Sequence, residues 1–121
     1  MTIVRRELET ILANVVEAGP FVFTAGAIAD DLSLDVEGQT GQALADLDKY
    51  LSLCGADKSK ILSAVIWLSD IRLRDAMNKA WLAWADPKHL PARACVEGKM
   101  ADPACLVEIQ IIAAPDHATK G

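Results

Sequence analysis

Nowhere in this chain do lysines and arginines gather into a run, and the net charge is -5. Phosphate binding wants a basic face, so nucleic acid is excluded as the default partner. No apolar stretch nears the roughly 20 residues of a membrane span. The start, "MTIVRRELET", carries charges where an export signal would be apolar. A cytoplasmic protein with no membrane partner is the expectation. Cysteine is scarce and odd in number: Cys54, Cys95 and Cys105 show no CxxC spacing, and neither His89 nor His117 forms a ligand pair with them. Reduced thiols are expected, with no metal and no cofactor. Internal repeats and low-complexity segments are also missing, and the tail "PDHATKG" reads as a loose end.

What is present suits one domain over residues 1–121. Hydrophobic residues make up 52% and charged residues 24% of 121 positions, a composition for a compact fold. "ILANVVEA" and "FVFTAG" are β-type runs split by Gly19-Pro20, a hairpin signal. From Val36 the apolar period changes, and Ala43, Leu44, Leu47, Leu51 and Cys54 recur at steps of three and four. That is one helix face, with Gly55 as its stop. "KILSAVIWLS" is a strand. "DIRLRDAMNKAWLAWAD" is helical again, with Leu73, Ala76, Met77, Ala80, Trp81 and Trp84 on one side and Pro87 and Pro91 closing it. "ARACVEG", a loop and "CLVEIQIIAA" finish the chain. The order is ββαβαββ, an α+β domain with two helices on one face of a sheet. Trp67, Trp81 and Trp84 are assigned to the core.

"ILSAVIWL" and "LVEIQIIAA" are apolar on both faces. Such strands expect cover on both sides. Two helices cover only one face, so a second copy of the chain is expected on the other, giving a homo-oligomer built on sheet faces.

Two strands expected to be buried each carry one lone charge, Arg93 in "ARACVE" and Glu108 in "LVEIQI". Alternation puts Arg93, Cys95 and Glu97 on one face of their strand, and Glu108 and Gln110 on one face of theirs. Were the two strands to pair as a hairpin, Arg93 and Glu108 would lie near one another, although the register is not set by sequence. One reading is a buried Arg93–Glu108 salt bridge. The other is a site. A guanidinium fits a ligand carboxylate as a planar fork, and Glu108 is then free to move a proton or aim a water. Cys95 is a potential nucleophile with no base supplied; a small buried residue beside the site is its alternative role.

"LPARACVEGKM" followed by "LVEIQIIAA" resembles the signature of the RidA/YjgF family, also called the endoribonuclease L-PSP family: P-A-R-x-x-V-E, a loop, then a strand with an E-I-E-like core. "AGPFVFTAGAIADD", "VEGQTGQALADLDKYLSLCGADKSKILSAVIWLSDI" and "MNKAWLAW" are similar to its second-strand, first-helix and second-helix segments, so the likeness runs from about residue 11 to 114. It implies a chorismate-mutase-like fold, a homotrimer with three clefts between subunits, and hydrolysis of reactive imines and enamines, such as 2-aminoacrylate, 2-iminobutanoate or 2-iminopropanoate, to a keto acid and ammonia. It further implies that Arg93 binds the substrate carboxylate, that Glu108 assists water and proton transfer, and that Cys95, Gly26 and Asn78 line the pocket. The family's first-strand tyrosine position is Leu12 here. Ala25, Ala27, Ala29 and Gln110 replace its serine, glutamine, proline and second glutamate. The anchor and the acid/base group are kept; much of the polar lining is not.

An imine carbon is already electrophilic, so orientation, a water and one carboxyl group suffice, without metal or covalent nucleophile. A non-catalytic trimer that binds keto or amino acids in the same cleft is the alternative. Ribonuclease action, attributed to some relatives, is opposed by the acidic charge.

Overall fold

Six strands and two helices follow one another in a computed structural model that describes residues 1–115. The elements are β1 (Ile3–Leu8), β2 (Ala13–Ala18), β3 (Phe21–Thr24), α1 (Val36–Leu53), β4 (Ile61–Leu68), α2 (Arg74–Trp84), β5 (Ala92–Glu97) and β6 (Val107–Ala113). Single 3-10 turns, Lys58–Lys60 and Ile71–Leu73, lead into β4 and α2. The order read from the sequence is kept, with β1 added ahead of it. His117 and the tail after Pro115 lie outside the described residues.

The sheet order is β1-β2-β3-β6-β4-β5. Only β4 and β5 run parallel, joined through α2 as a parallel pair requires. Gly19 makes the β2–β3 turn at φ 58°, a left-handed conformation that glycine takes without a Cβ penalty. α1 starts where the Asp35 side chain accepts from Gly38 N at 2.8 Å, and it ends where Gly55 takes φ 69° and Ala56 N reaches back to Leu51 O.

Ala43, Leu44, Leu47, Leu51 and Cys54 are buried, as their spacing foretells. From α2 come Met77 and Trp81. These meet Ala64, Ile66 and Leu68 of β4 and Val107, Ile109 and Ile111 of β6, all at or near zero exposure. Each fully buried aliphatic side chain contributes roughly 1.5–3 kcal/mol, so this single layer between helices and sheet carries the fold.

Gln39, also at 0% exposure, ties a loop to that layer. Its Oε1 accepts from Leu106 N at 2.9 Å, and its Nε2 donates to Leu34 O and Ala104 O at 3.0 Å and to Leu32 O at 3.2 Å. The chain entering β6 is thereby fixed against the start of α1, and with it the position of Glu108.

The other face of the sheet has no cover among the described residues. Phe21, Phe23, Leu62 and Val96 are exposed there, and Val65, Trp67 and Ile112 are only half-buried. Trp67 therefore stands outside the core to which the sequence assigns it, paired with Glu108 on the open face. Trp81 and Trp84 do pack at or against the core.

Candidate functional site

β5 and β6 do not form a hairpin. β4 lies between them, pairing with β5 on one side and β6 on the other. The crossover through α2 delivers β5 to the outer edge, and the loop after Gly98 returns the chain past it to the inner one. Arg93 is in register with Ala64, and Glu108 with Trp67. Paired residues in a sheet share a face. Ala64 is on the helix-covered face and Trp67 on the open one, so Arg93 and Glu108 point to opposite sides of the sheet. The buried intramolecular salt bridge is ruled out for this chain. The sequence reading of β5 as a buried strand is also corrected: it is an edge strand, and Arg93 is exposed.

Arg93 is nonetheless held. Its Nη1 donates to Asn78 Oδ1 at 2.8 Å, and its guanidinium carbon lies 5.1 Å from the centre of the Trp81 ring. Asn78 and Trp81 are three residues apart on α2, so they rise from one helix face and grip the fork from two directions. A cavity of about 300 Å³ opens beside it, walled by Leu82, Leu90 and Pro91. Arg93 makes no ion pair among the described residues. A guanidinium that is fixed but not neutralised suits a planar anion.

Cys95 follows on the same face, half-buried, in register with Ile66. Burial pushes its thiol pKa up, with Arg93 and Arg74 pulling the other way. The thiol is protonated at neutral pH and makes a poor nucleophile.

On the opposite side Glu108 is half-buried beside Gly26. Ala27 forms an isolated bridge with Ile109, Ala27 N to Ile109 O at 2.7 Å, and this draws the segment after β3 over β6. The carboxylate occupies the space where a side chain at 26 would be: a Cβ there would stand 1.9 Å from Oε2 and 2.7 Å from the carboxyl carbon. Only glycine admits the carboxylate in this pose. The cavity around it, about 320 Å³, is also lined by Leu12, Asn14 and Tyr50. Glu108 makes no hydrogen bond or ion pair among the described residues.

The candidate residues thus sort into two groups. Arg93, Asn78 and Cys95 stand on the helix side of the sheet at its β5 edge. Glu108, Gly26 and Leu12 line the cavity on the other. Trp81 as the platform under Arg93 was not read from the sequence, although its spacing from Asn78 is the signal for it. Tyr50 was not read either, since its place beside Glu108 depends on how α1 lies across the sheet. His89 pairs with Asp86 at 2.8 Å.

Comparison with known proteins agrees with this architecture. The family model for Endoribonuclease L-PSP matches residues 6–115. A RutC family protein of Haemophilus ducreyi is 36% identical over 115 residues, covering 95% of this chain and 98% of the relative. The RutC family protein YoaB of Escherichia coli is 40% identical over 114 residues, covering 94% and 99%. Among solved structures, NMB1025 of Neisseria meningitidis, a member of the YjgF protein family, superposes with a TM-score of 0.92 at 36% identity, over 95% of this chain and 96% of that one. Matches of this extent, on a mixed six-stranded sheet with two helices, show that the chain belongs to the RidA/YjgF family, also known as the endoribonuclease L-PSP family.

Proposed function

We propose that this chain hydrolyses reactive 2-imino and 2-enamino acids to 2-keto acids and ammonia, in clefts formed between copies of itself. Arg93 of one copy binds the substrate carboxylate, and Glu108 of a neighbouring copy manages the protons. The observation that carries this reading is a pair of opposite charges, each set in its own cavity and with no ion pair among the described residues, on opposite faces of one sheet. Charges left so exposed have a use when a neighbouring copy brings the two half-sites face to face.

The open sheet face supports the same reading. Phe21, Phe23, Leu62 and Val96 expose 40%, 39%, 48% and 44% of their surfaces, and a contiguous apolar face of this kind marks an interface. A homotrimer, the assembly that the family resemblance implies, closes such an interface on itself.

The chemistry needs little more than positioning. The imine N and C2 face a water oriented by Glu108. The water oxygen bonds to C2, the C=N π pair moves to nitrogen, and Glu108 takes the proton lost by water and hands it to that nitrogen, giving a neutral carbinolamine. The carbinolamine then collapses: Glu108 takes its O–H proton, the C=O bond forms, and the C–N bond breaks as the same proton is delivered to nitrogen, so that ammonia leaves and the carboxylate is restored. Arg93 pairs with the carboxylate throughout, and general acid–base catalysis at this scale is worth about 10²–10⁴-fold. Cys95, held as a thiol, lines the pocket and takes no covalent part. No helix among the described residues is long and apolar enough to cross a membrane.

A binding protein without turnover is the second reading, favoured by Leu12, an apolar residue in the Glu108 cavity. The separating experiment is ammonia release from 2-iminobutanoate made in place by an amino-acid-oxidising enzyme. Acceleration over the buffer rate supports the hydrolase; binding of 2-oxobutanoate with no acceleration supports the sensor.

A further inference from the structure

We propose that the hydroxyl of Tyr50 is the hydrogen-bond donor of the Glu108 cavity, contacting the substrate at the reacting C=N or C=O group. The inference rests on the hydrolase site above and names a residue of it that α1 contributes.

The reaction asks this cavity for a hydrogen-bond donor. An imine nitrogen, a carbinolamine and a product carbonyl all present lone pairs at the reacting end, and a carboxylate cannot donate to them. The carboxyl groups that line this cavity, Glu9, Asp30, Asp46 and Glu108, are acceptors when ionised. Among its described lining residues the side-chain donors are therefore Asn14 and Tyr50. Asn14 is committed. Its amide donates to Glu7 O at 3.0 Å and to Glu9 Oε2 at 2.6 Å, which uses both of its N–H bonds. The Tyr50 hydroxyl has no hydrogen-bond partner among the described residues.

The ring itself is anchored. Tyr50 is half-buried and packs against the core from the last turn of α1, next to the buried Leu51. Its backbone is within α1, in a turn closed by Cys54 N to Leu51 O and Ala56 N to Leu51 O, so the ring is carried by a helix rather than a loop. Burial, followed by the charge of Asp46, pushes its pKa above the usual tyrosine value, against the pull of Lys49. The group therefore keeps its proton at neutral pH. It serves as a donor that holds and polarises the reacting group, while Glu108 carries the protons that are exchanged with water.

Tyr50 is the single tyrosine of the chain, which makes the proposal directly observable. Protein labelled with carbon-13 at the tyrosine ring carbon bearing the hydroxyl gives one resonance. Titration with 2-oxobutanoate is predicted to move that resonance saturably, along the same curve as the ligand's own signals. Tyr50→Phe, which removes only the hydroxyl, is predicted to lower kcat by about tenfold, the scale of one lost hydrogen bond to a reacting group, with KM changed by less than about threefold and the melting temperature unmoved. A fixed resonance while the ligand binds, or a wild-type kcat in Tyr50→Phe where Glu108→Gln has lost activity, overturns the Tyr50 assignment and leaves the hydrolase reading intact. Failure of the wild type both to bind 2-oxobutanoate and to release ammonia overturns both.

Discussion

The carboxylate of Glu108 lies directly against the α-carbon of Gly26, in the space a methyl group would need: an added Cβ falls 1.9 Å from Oε2 and 2.8 Å from the Glu108 γ-carbon. The γ-carbon, the carboxyl carbon and Oε2 of Glu108 are all involved, so no small rotation at its tip relieves the clash. Gly26→Ala is expected to push Glu108 out of its pose. The measurement is ammonia release, with about a 10- to 100-fold drop, the share of a misplaced proton-transfer group, and a melting temperature within a few degrees of wild type. Full activity in Gly26→Ala would mean that this pose of Glu108 is not the working one.

Glu108→Gln keeps the shape and removes the charge. Because Gly26 still accommodates a side chain of the same size, the fold and 2-oxobutanoate binding are expected to persist. Hydrolysis is expected to fall by about 10²-fold or more, measured as initial rates with 2-iminobutanoate. A wild-type rate would exclude Glu108 from the chemistry.

Arg93→Lys keeps a positive charge but loses the fork held between Asn78 and Trp81. Losing one hydrogen bond to a charged group, worth roughly 1.5–3 kcal/mol, should cost about 10- to 100-fold in kcat/KM. Arg93→Ala should abolish 2-oxobutanoate binding by calorimetry and leave the melting temperature nearly unchanged, since an exposed edge-strand arginine with no ionic partner strands no buried charge when removed. A large fall in melting temperature would identify a structural charge instead.

Cys95 supplies a pH test. Burial raises its thiol pKa, so the protonated form persists to higher pH than for a free cysteine, and the thiolate appears only as pH climbs past that raised value. Alkylation by iodoacetamide at pH 7 should be slower at Cys95 than at a peptide thiol and should speed up with rising pH. Cys95→Ser should retain most of the hydrolase activity. Loss of activity in the serine variant, with ligand still bound, would point to a covalent role for the sulfur.

Gln39 tests the scaffold. Gln39→Leu orphans Leu106 N and the carbonyls that Gln39 Nε2 serves. An unsatisfied buried group costs about 1–3 kcal/mol, and a loss of about 2 kcal/mol lowers the melting temperature by roughly 10 °C in a domain of this size. Thermal unfolding followed by circular dichroism reads it directly; an unmoved midpoint would show that the loop before β6 does not depend on this residue.

How far the sequence speaks varies along the chain. The face of α1 was legible because Ala43, Leu44, Leu47 and Leu51 bury on a strict helical period. The two-sided apolarity of β4 and β6 is legible for the same kind of reason, and the open side bearing Leu62, Val65 and Ile112 is its consequence. β1 was not read. "IVRREL" is an edge strand with little burial, held partly by Arg6 bonding Glu17 of β2 at 2.7 Å, so it lacks the apolar alternation that marks a half-buried strand. Its neighbour was read as beginning at Ile11, but Ile11 and Leu12 belong to the turn, and β2 starts at Ala13. The identities of Arg93 and Glu108 stood out as isolated charges in apolar runs. Their placement did not, because which strand lies beside which is decided by crossovers many residues away. Alternation within a strand gave the correct partners for each face, and only the assumed β5–β6 hairpin set the two charges together. For the same reason Trp67, apolar and central in its strand, was assigned to the core when it lies on the open face.

The central claim is that one working site needs Arg93 from one copy and Glu108 from another, and complementation measures it. Arg93→Ala and Glu108→Gln are each expected to be inactive alone. Unfolded together in equal amounts and refolded into mixed oligomers, they should regain about a quarter of the wild-type rate, since in a closed ring of identical interfaces one cleft in four joins an intact arginine to an intact glutamate. Recovery near that fraction, absent when the two folded proteins are mixed without unfolding and assayed at once, is the predicted result. No recovery, from mixtures shown by mass spectrometry to contain both chains, would contradict a site shared between copies.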